Sequence, residues 1–203
     1  DHIKDLKRCV DSIYAKSSYQ NFEIIIVENN STEKETFKYY EQLKQDHSNI
    51  KVVEWKTGFN YSAINNFAVD YAAGDYLLFL NNDTELISEN ALEEMLGCCM
   101  RSEVGAVGAK LLYADDTIQH AGVVVGICGY AYHANRAIGR DDYGYMVRAR
   151  INCNYSAVTA ACMMTKKDLF LQLGGFDEEF AVACNDVDYC LRLRAKDKLI
   201  VYN

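Results

Sequence analysis

Three short polar clusters in this chain carry the residue types that do chemistry. Glu28-Asn29-Asn30-Ser31 and Asn81-Asn82-Asp83-Thr84 each follow directly on an apolar run. Amide and carboxylate oxygens of this kind suit a hard cation such as Mg²⁺ or Mn²⁺, which in turn holds substrate phosphates. The same residue types also make ordinary turns, so the clusters alone leave both readings open. The third cluster is Asn185-Asp186-Val187-Asp188-Tyr189. Both aspartates fall in the first turn of an expected helix, where carboxylates complement the helix dipole. Asp186 also follows the apolar Phe180-Ala181-Val182-Ala183-Cys184. Desolvation there would raise its pKa and suit it to work as a general base. Ahead of it, Gly174-Gly175-Phe176-Asp177-Glu178 reads as a flexible corner that either lines a second substrate site or is a plain turn.

These clusters need elements to position them. Ile3, Leu6, Cys9, Val10, Ile13 and Tyr14 fall at helical spacing. Phe22 to Val27 is a β-branched run suited to a strand buried on both faces. Ser31 or Thr32, with Glu35 as a capping-box partner, predicts a helix running to about Gln45. Ile50–Trp55 and Tyr76–Leu80 read as strands, and Tyr61–Ala73 and Ser88–Arg101 as helices. The alternation implies a parallel α/β sheet with right-handed crossovers. Ligands in such sheets bind beyond the carboxyl ends of strands, where two of the clusters fall. After Val104 the pattern changes. Ala106–Leu112, Ile118–Val125 and Ser156–Thr165 read as strands without full helices between them. Helices over Lys167–Leu173 and Asp186–Lys196 and a strand over Leu199–Tyr202 close the chain. The expectation is a single domain over 1–203, with a nucleotide-binding half at 1–104 and a mixed half at 105–203 sharing one core.

Composition narrows the partners. The 203 residues are 50% hydrophobic and 25% charged, enough apolar content to bury a core. A net charge of −8 argues against sequence-blind binding of nucleic acid or an anionic membrane. No apolar run approaches the roughly 18 residues of a spanning helix. The eight cysteines, among them Cys9, Cys99, Cys128, Cys162 and Cys190, form no CxxC and no zinc spacing. They read as reduced core residues of a cytosolic protein. Proline is absent where about ten would be usual. Together with an opening helix that no strand precedes, this suggests a piece of a longer chain. Of the four histidines, His120 and His133 flank a glycine-broken apolar stretch and read as structural.

In this order, the clusters resemble the inverting family 2 glycosyltransferases, and the resemblance covers nearly the whole chain. Ile24 to Ser31 is similar to the family's strand-plus-acid that contacts the nucleobase, with Glu28 where Asp is commoner. Asn66, eight residues before Gly74, matches a helix asparagine near the donor. Leu80-Asn81-Asn82-Asp83 matches the metal motif. Thr159 to Met164, continuing through Gly174-Gly175-Phe176-Asp177-Glu178, resembles the acceptor-side segment, and Asn185-Asp186-Val187-Asp188 the E-D-x-D element with Asn for Glu. Phe59-Asn60-Tyr61-Ser62 and Gln119-His120-Ala121-Gly122-Val123 are similar to a bacterial rhamnosyltransferase-like branch.

The resemblance implies a GT-A (Rossmann-like) nucleotide-diphospho-sugar transferase fold. Its mainly parallel central sheet carries helices on both faces and joins a mixed C-terminal half, with the first strand expected before Asp1. Asp186 is the implied catalytic base and Asp83 the implied metal ligand. Glu28, Asn30, Asn66 and Asn82 are implied on the donor side; Gly175, Phe176, Asp177 and Asn185 on the acceptor side. The cofactor implied is Mg²⁺ or Mn²⁺, and the donor a UDP- or dTDP-sugar. The acceptor is a glycan or a lipid-linked glycan, and the place of work the cytoplasm at the inner face of the plasma membrane. A histidine completing the metal site is expected after Asn203. A sugar nucleotidyltransferase and a non-catalytic sugar-nucleotide binding domain stand as alternatives.

Overall fold

A computed structural model describes residues 2–127 and 129–203, so Cys128 lies outside the described residues. The chain opens with α1 (Ile3–Lys16), whose apolar stripe buries Cys9, Val10 and Ile13. Next come β1 (Ile24–Glu28), α2 (Lys34–Asp46) and β2 (Ile50–Glu54). β1 and β2 pair in parallel, from Ile24 opposite Ile50 to Glu28 opposite Glu54. Val10, Ile26, Tyr39, Tyr40, Leu43 and Ile50 form the core beneath them. The expected cap of α2 at Ser31 or Thr32 is not the one formed: Glu33 holds the N-cap position without a side-chain cap bond. The Glu28 carboxylate accepts the Ser31 N–H and turns the chain before the helix starts.

Beyond this unit lie α3 (Tyr61–Val69), β3 (Tyr76–Leu80), α4 (Ala91–Cys99) and β4 (Val104–Gly108). The short strands β5 (Leu111–Leu112) and β6 (Ile118–His120), the hairpin β7 (Val123–Ile127) with β8 (Tyr130–His133), and β9 (Cys153–Asn154) follow. The chain closes with β10 (Cys162–Lys166), α5 (Lys167–Gln172), α6 (Asn185–Arg194) and β11 (Leu199–Tyr202). The main sheet is five-stranded in the order β3-β10-β4-β11-β9, and β1–β2 form a separate pair. β10 is antiparallel to both β3 and β4, whereas β11 is parallel to β4. β3, β4 and β11 therefore run one way, as a parallel α/β plan requires, with β10 set between them in the opposite sense. The expectation of a mainly parallel sheet thus becomes a mixed one at its centre. The physical reason is the route of the chain. It leaves β4 at the carboxyl edge, builds β5 to β9 there, and re-enters the sheet from that edge.

Adjacent residues of β10 face opposite sides, as the strand pleat demands. Met163 joins Phe79, Phe170, Phe176, Tyr189, Leu193 and Ile200, beneath α3, α5 and α6. Met164 joins Met95, Cys99, Val104, Val107 and Val201, beneath α4. Helices therefore cover both faces. The buried Cys9, Cys99, Cys162 and Cys190 act as small hydrophobes, and the described cysteines are all free thiols. Cys184, by contrast, is exposed.

The expected strand Ala106–Leu112 divides into the end of β4 and β5, and two others come out shorter for local reasons. Ile118–Val125 breaks at Gly122, which has φ +91° and lies so close to Tyr155 that a Cβ would sit 2.3 Å from the ring. Ser156–Thr165 pairs into the sheet only from Cys162, because the Ala160 backbone serves other partners.

Candidate active site

The carboxyl end of β3 and the amino end of β10 lie side by side, Leu80 opposite Cys162. Two further contacts continue this edge past the strands. Asn81 N–H donates to the Ala161 carbonyl at 3.0 Å. Ala160 N–H donates to Asp186 Oδ2 at 3.0 Å. A link of two residues, Ala160-Ala161, thereby joins the Asn81-Asn82-Asp83 turn to the half-buried Asp186 at the start of α6. The second oxygen of Asp186 accepts the Val187 N–H at 2.8 Å, an orphan donor of the helix's first turn. Asn185 is buried and braces the turn, donating to the Phe180 carbonyl at 3.3 Å and accepting from Asp186 N–H at 2.8 Å.

The loop that leads into α6 is held from α3. Asn60, the α3 cap, accepts from Ala63 N–H and donates to the Glu178 carbonyl at 2.9 Å. Ser62 Oγ donates to the Phe180 carbonyl at 2.8 Å, and Tyr61 N–H to the Ala181 carbonyl at 2.7 Å. The Tyr61 hydroxyl reaches across to the Ala160 carbonyl at 3.0 Å, and burial raises its pKa, with the nearby Asp186 charge adding to the rise. The Phe59-Asn60-Tyr61-Ser62 motif is therefore a brace for the Asp186 loop.

Asn66, one turn further on, reads the backbone of Phe176 in both directions. Its Nδ2 donates to the Phe176 carbonyl at 2.9 Å, and its Oδ1 accepts the Phe176 N–H at 2.9 Å. The other amide hydrogen goes to Glu178 at 3.1 Å. With both amide hydrogens and one lone pair of the oxygen so occupied, Asn66 acts first on the shape of this corner. Gly175, at φ +74°, makes the close approach possible, since a Cβ there would lie 2.5 Å from Asn66 Oδ1. Phe176 itself is 1% exposed and sits among Phe79, Phe170 and Tyr189. The ring belongs to the core, and its backbone faces the corner, so any acceptor-side part falls to the backbone. Asp177 is exposed and accepts the Glu179 N–H at 3.0 Å.

The cluster after β1 and the turn after β3 are differently made. Glu28 is buried and committed to the Ser31 turn, and Asn30 donates to the Thr57 carbonyl at 2.8 Å. Asn82 and Asp83 are exposed at the end of β3. The described residues contain no group of three His, Cys, Asp or Glu side chains able to hold a metal alone. One exposed carboxylate still fits Mg²⁺ or Mn²⁺, because such ions keep several waters and draw other ligands from substrate phosphates. Asp83 is the residue that would hold the ion.

Some supporting residues carry no recognisable motif. Cys9 on α1 contacts the Asn81 carbonyl at 3.8 Å and Thr84 Oγ1 at 3.6 Å, and burial pushes its thiol pKa up. Ser12 Oγ accepts the Leu86 N–H at 2.9 Å, seating α1 against the same loop. Arg192 donates to the Leu173 carbonyl at 2.9 Å and the Gly175 carbonyl at 2.8 Å, and pairs with Asp188 at 2.7 Å. Position i+4 from Asp188 on a helix was the signal available for that pairing. His120 and His133 meet Nδ1 to Nδ1 at 2.9 Å, although they are thirteen residues apart.

The α/β architecture with its central mixed sheet and helices on both faces is the GT-A fold. Among the solved structures that share this fold are two glycosyltransferases. The mannosyltransferase PcManGT from Pyrobaculum calidifontis, in complex with GDP-Man and Mn²⁺, matches with a TM-score of 0.70 at 14% identity, over 100% of this chain and 54% of that one. GalNAc-T7 with UDP, GalNAc and Mn²⁺ matches with a TM-score of 0.79 at 13% identity, over 100% of this chain and 39% of that one.

The chain belongs to glycosyl transferase family 2, whose sequence profile matches residues 2–174. It is 43% identical over 200 residues to the O-antigen biosynthesis protein RfbC of Myxococcus xanthus, covering 97% of this chain and 15% of that protein. It is 42% identical over 196 residues to the uncharacterized protein y4gI of Sinorhizobium fredii, covering 96% of this chain and 22% of that protein. The chain thus spans less than a quarter of the length of either relative.

Proposed function

We propose that this domain transfers a sugar, with inversion, from a nucleotide-diphospho-sugar to an acceptor hydroxyl in the synthesis of a surface glycan such as O-antigen. One observation carries the reading: the Ala160-Ala161 link ties Asp186 to the Asn81–Asp83 turn, so a base and a phosphate-side carboxylate share one rigid edge. The acceptor oxygen attacks the anomeric carbon from the face opposite the diphosphate. The carbon–oxygen bond to the diphosphate breaks and its electron pair leaves with that oxygen, while the acceptor proton passes to Asp186. General-base help of this kind is worth roughly 10²–10⁴-fold in rate. A divalent cation at Asp83, when bound, supplies positive charge for the leaving diphosphate. Glu28 and Asn30 shape the loop against which the nucleoside would rest, and Asn82 stands beside the diphosphate. The solved neighbours described with a sugar nucleotide or its parts and Mn²⁺ support a nucleotide-linked donor. The 43% identical relative supports an O-antigen setting. Work at the inner face of the plasma membrane fits such an acceptor.

The test is a transfer assay with UDP-, dTDP- and GDP-sugars, an oligosaccharide acceptor and Mn²⁺, the product read by NMR at the anomeric carbon. A glycoside of inverted configuration with release of nucleoside diphosphate is expected. Cleavage at the phosphoanhydride instead would assign the domain to nucleotidyl transfer. Tight donor binding without any turnover would make it a binding module.

A further inference from the structure

The histidine pair lies outside the machinery described so far, yet it is built against it. His133 ends β8 and pairs with Val123 of β7. Val123 in turn exchanges backbone hydrogen bonds with Ala157, three residues before the Ala160 N–H that holds Asp186. Val123, Ala131, Ala157, Ala160 and Val187 pack in or against one core, which fixes the hairpin relative to the start of α6. Asp186 is close enough for its charge to act on the His133 ring.

The hydrogen bonds of the pair have a single direction. Gly122 N–H, which can only donate, points at His120 Nε2 at 3.3 Å. That nitrogen must therefore carry the lone pair. His120 is fully buried, and burial pushes its pKa down to about 3, so it is neutral and its proton sits on Nδ1. His120 Nδ1–H then donates to His133 Nδ1 at 2.9 Å. With its Nδ1 lone pair engaged, His133 carries its own proton on Nε2. Gly122 cannot be replaced in this relay, since its φ is +91° and Tyr155 fills the space of a Cβ.

We propose that the buried His120 locks His133 as a neutral Nε2–H donor on the Asp186 side of the site, where it holds an oxygen of the acceptor sugar and leaves the carboxylate free of an ion pair. The proposal rests on the reading of Asp186 as the base. A free imidazole next to a carboxylate tends to take a proton and form an ion pair with it, which would use up the base. Here the only basic nitrogen of His133 is already occupied. Burial is the largest influence on the ring and lowers its pKa; of the charged groups, Asp186 on α6 favours the cation and Arg136 in the following loop opposes it, and the net shift is downward. The ligand class follows from the donor: a polyhydroxylated acceptor whose oxygen, other than the attacking one, takes the Nε2–H.

Ring-nitrogen ¹⁵N NMR on the protein tests the lock without any substrate. The expected spectrum shows His120 as the Nδ1–H tautomer and His133 as the Nε2–H tautomer, with the His133 midpoint below that of an ordinary imidazole. In His120→Phe the His133 pKa should rise by about one unit or more, and adding Asp186→Asn should bring it back down. In the transfer assay, His120→Phe should move the acid limb of the pH–rate profile upward by a similar amount. His133→Gln, which keeps a neutral donor, should leave that limb in place. His133→Phe should raise the acceptor KM about tenfold with the donor KM unchanged. An imidazolium at His133 near pH 7 in the wild type, the opposite tautomers, or equal acceptor KM values in His133→Phe and wild type would overturn the proposal. Should His120→Phe fail to fold, the wild-type spectrum and the two His133 variants decide it. A domain without transferase activity but with the expected tautomers would refute the reading of function while leaving the lock in place.

Discussion

The two sides of the site are built to different standards. Around Asp186, backbone groups from residues 160 to 181 are tied down by Asn60, Tyr61, Ser62 and Asn66 from one helix and Arg192 from another. On the proposed nucleotide side, β1 and β2 among the described residues pair with each other and not with the main sheet, and Asn82 and Asp83 stand exposed beyond β3. On the proposed function, the contrast follows from what each side has to do. A base works only within hydrogen-bond reach of one proton, so its position has to be fixed in advance. A carboxylate that meets a hydrated cation and a diphosphate receives most of its geometry from them.

Substitutions that strike each side separately break this comparison. The largest effect is expected from Asp186→Asn, which removes the base and whose single amide oxygen can keep the Ala160 contact only by giving up the Val187 one; steady-state kinetics should show kcat down by roughly 10²–10⁴-fold. Asp83→Ala should lower kcat/KM by about 10²-fold and abolish its dependence on Mn²⁺ concentration. Asn66→Ala touches no reacting group, yet it strands the buried N–H and carbonyl of Phe176. Denaturant unfolding should show about 1–3 kcal/mol less stability, with the loss of activity following the unfolding curve.

Acid stability should sharpen the comparison further, because a group with a large downward shift, His120, lies on the Asp186 side. Its folded pKa of about 3 is below the ordinary 6.5, so the unfolded chain binds the extra proton between those values. Stability from this group is therefore complete above about pH 6.5 and is lost as pH falls toward 3, at about 1.4 kcal/mol per unit. Unfolding midpoints measured from pH 7 to 5 should show that slope, reduced by one proton in His120→Phe.

Much of this was legible in the sequence where periodicity and strand ends speak for themselves. The strands at 24–28, 50–54 and 76–80 and the polar clusters after the first and third sit where the residue pattern puts them. Phe176 shows the limit: an aromatic in a Gly-Gly-Phe-Asp corner looks surface-bound, and only tertiary packing reveals a core ring. Gly122 shows another, since the apolar run around it reads as one strand until its positive φ breaks it into two. The histidine pair carries no local signal at all, because its partners meet through the turn of a hairpin.

The most direct test of the divided site is calorimetric titration of UDP and dTDP with Mn²⁺ into wild type, Asp186→Asn and Asp83→Ala. Nucleotide Kd should match wild type in Asp186→Asn and weaken at least about tenfold in Asp83→Ala. Weakened binding in Asp186→Asn, or unchanged Mn²⁺-dependent binding in Asp83→Ala, would contradict the division of labour between the two carboxylates.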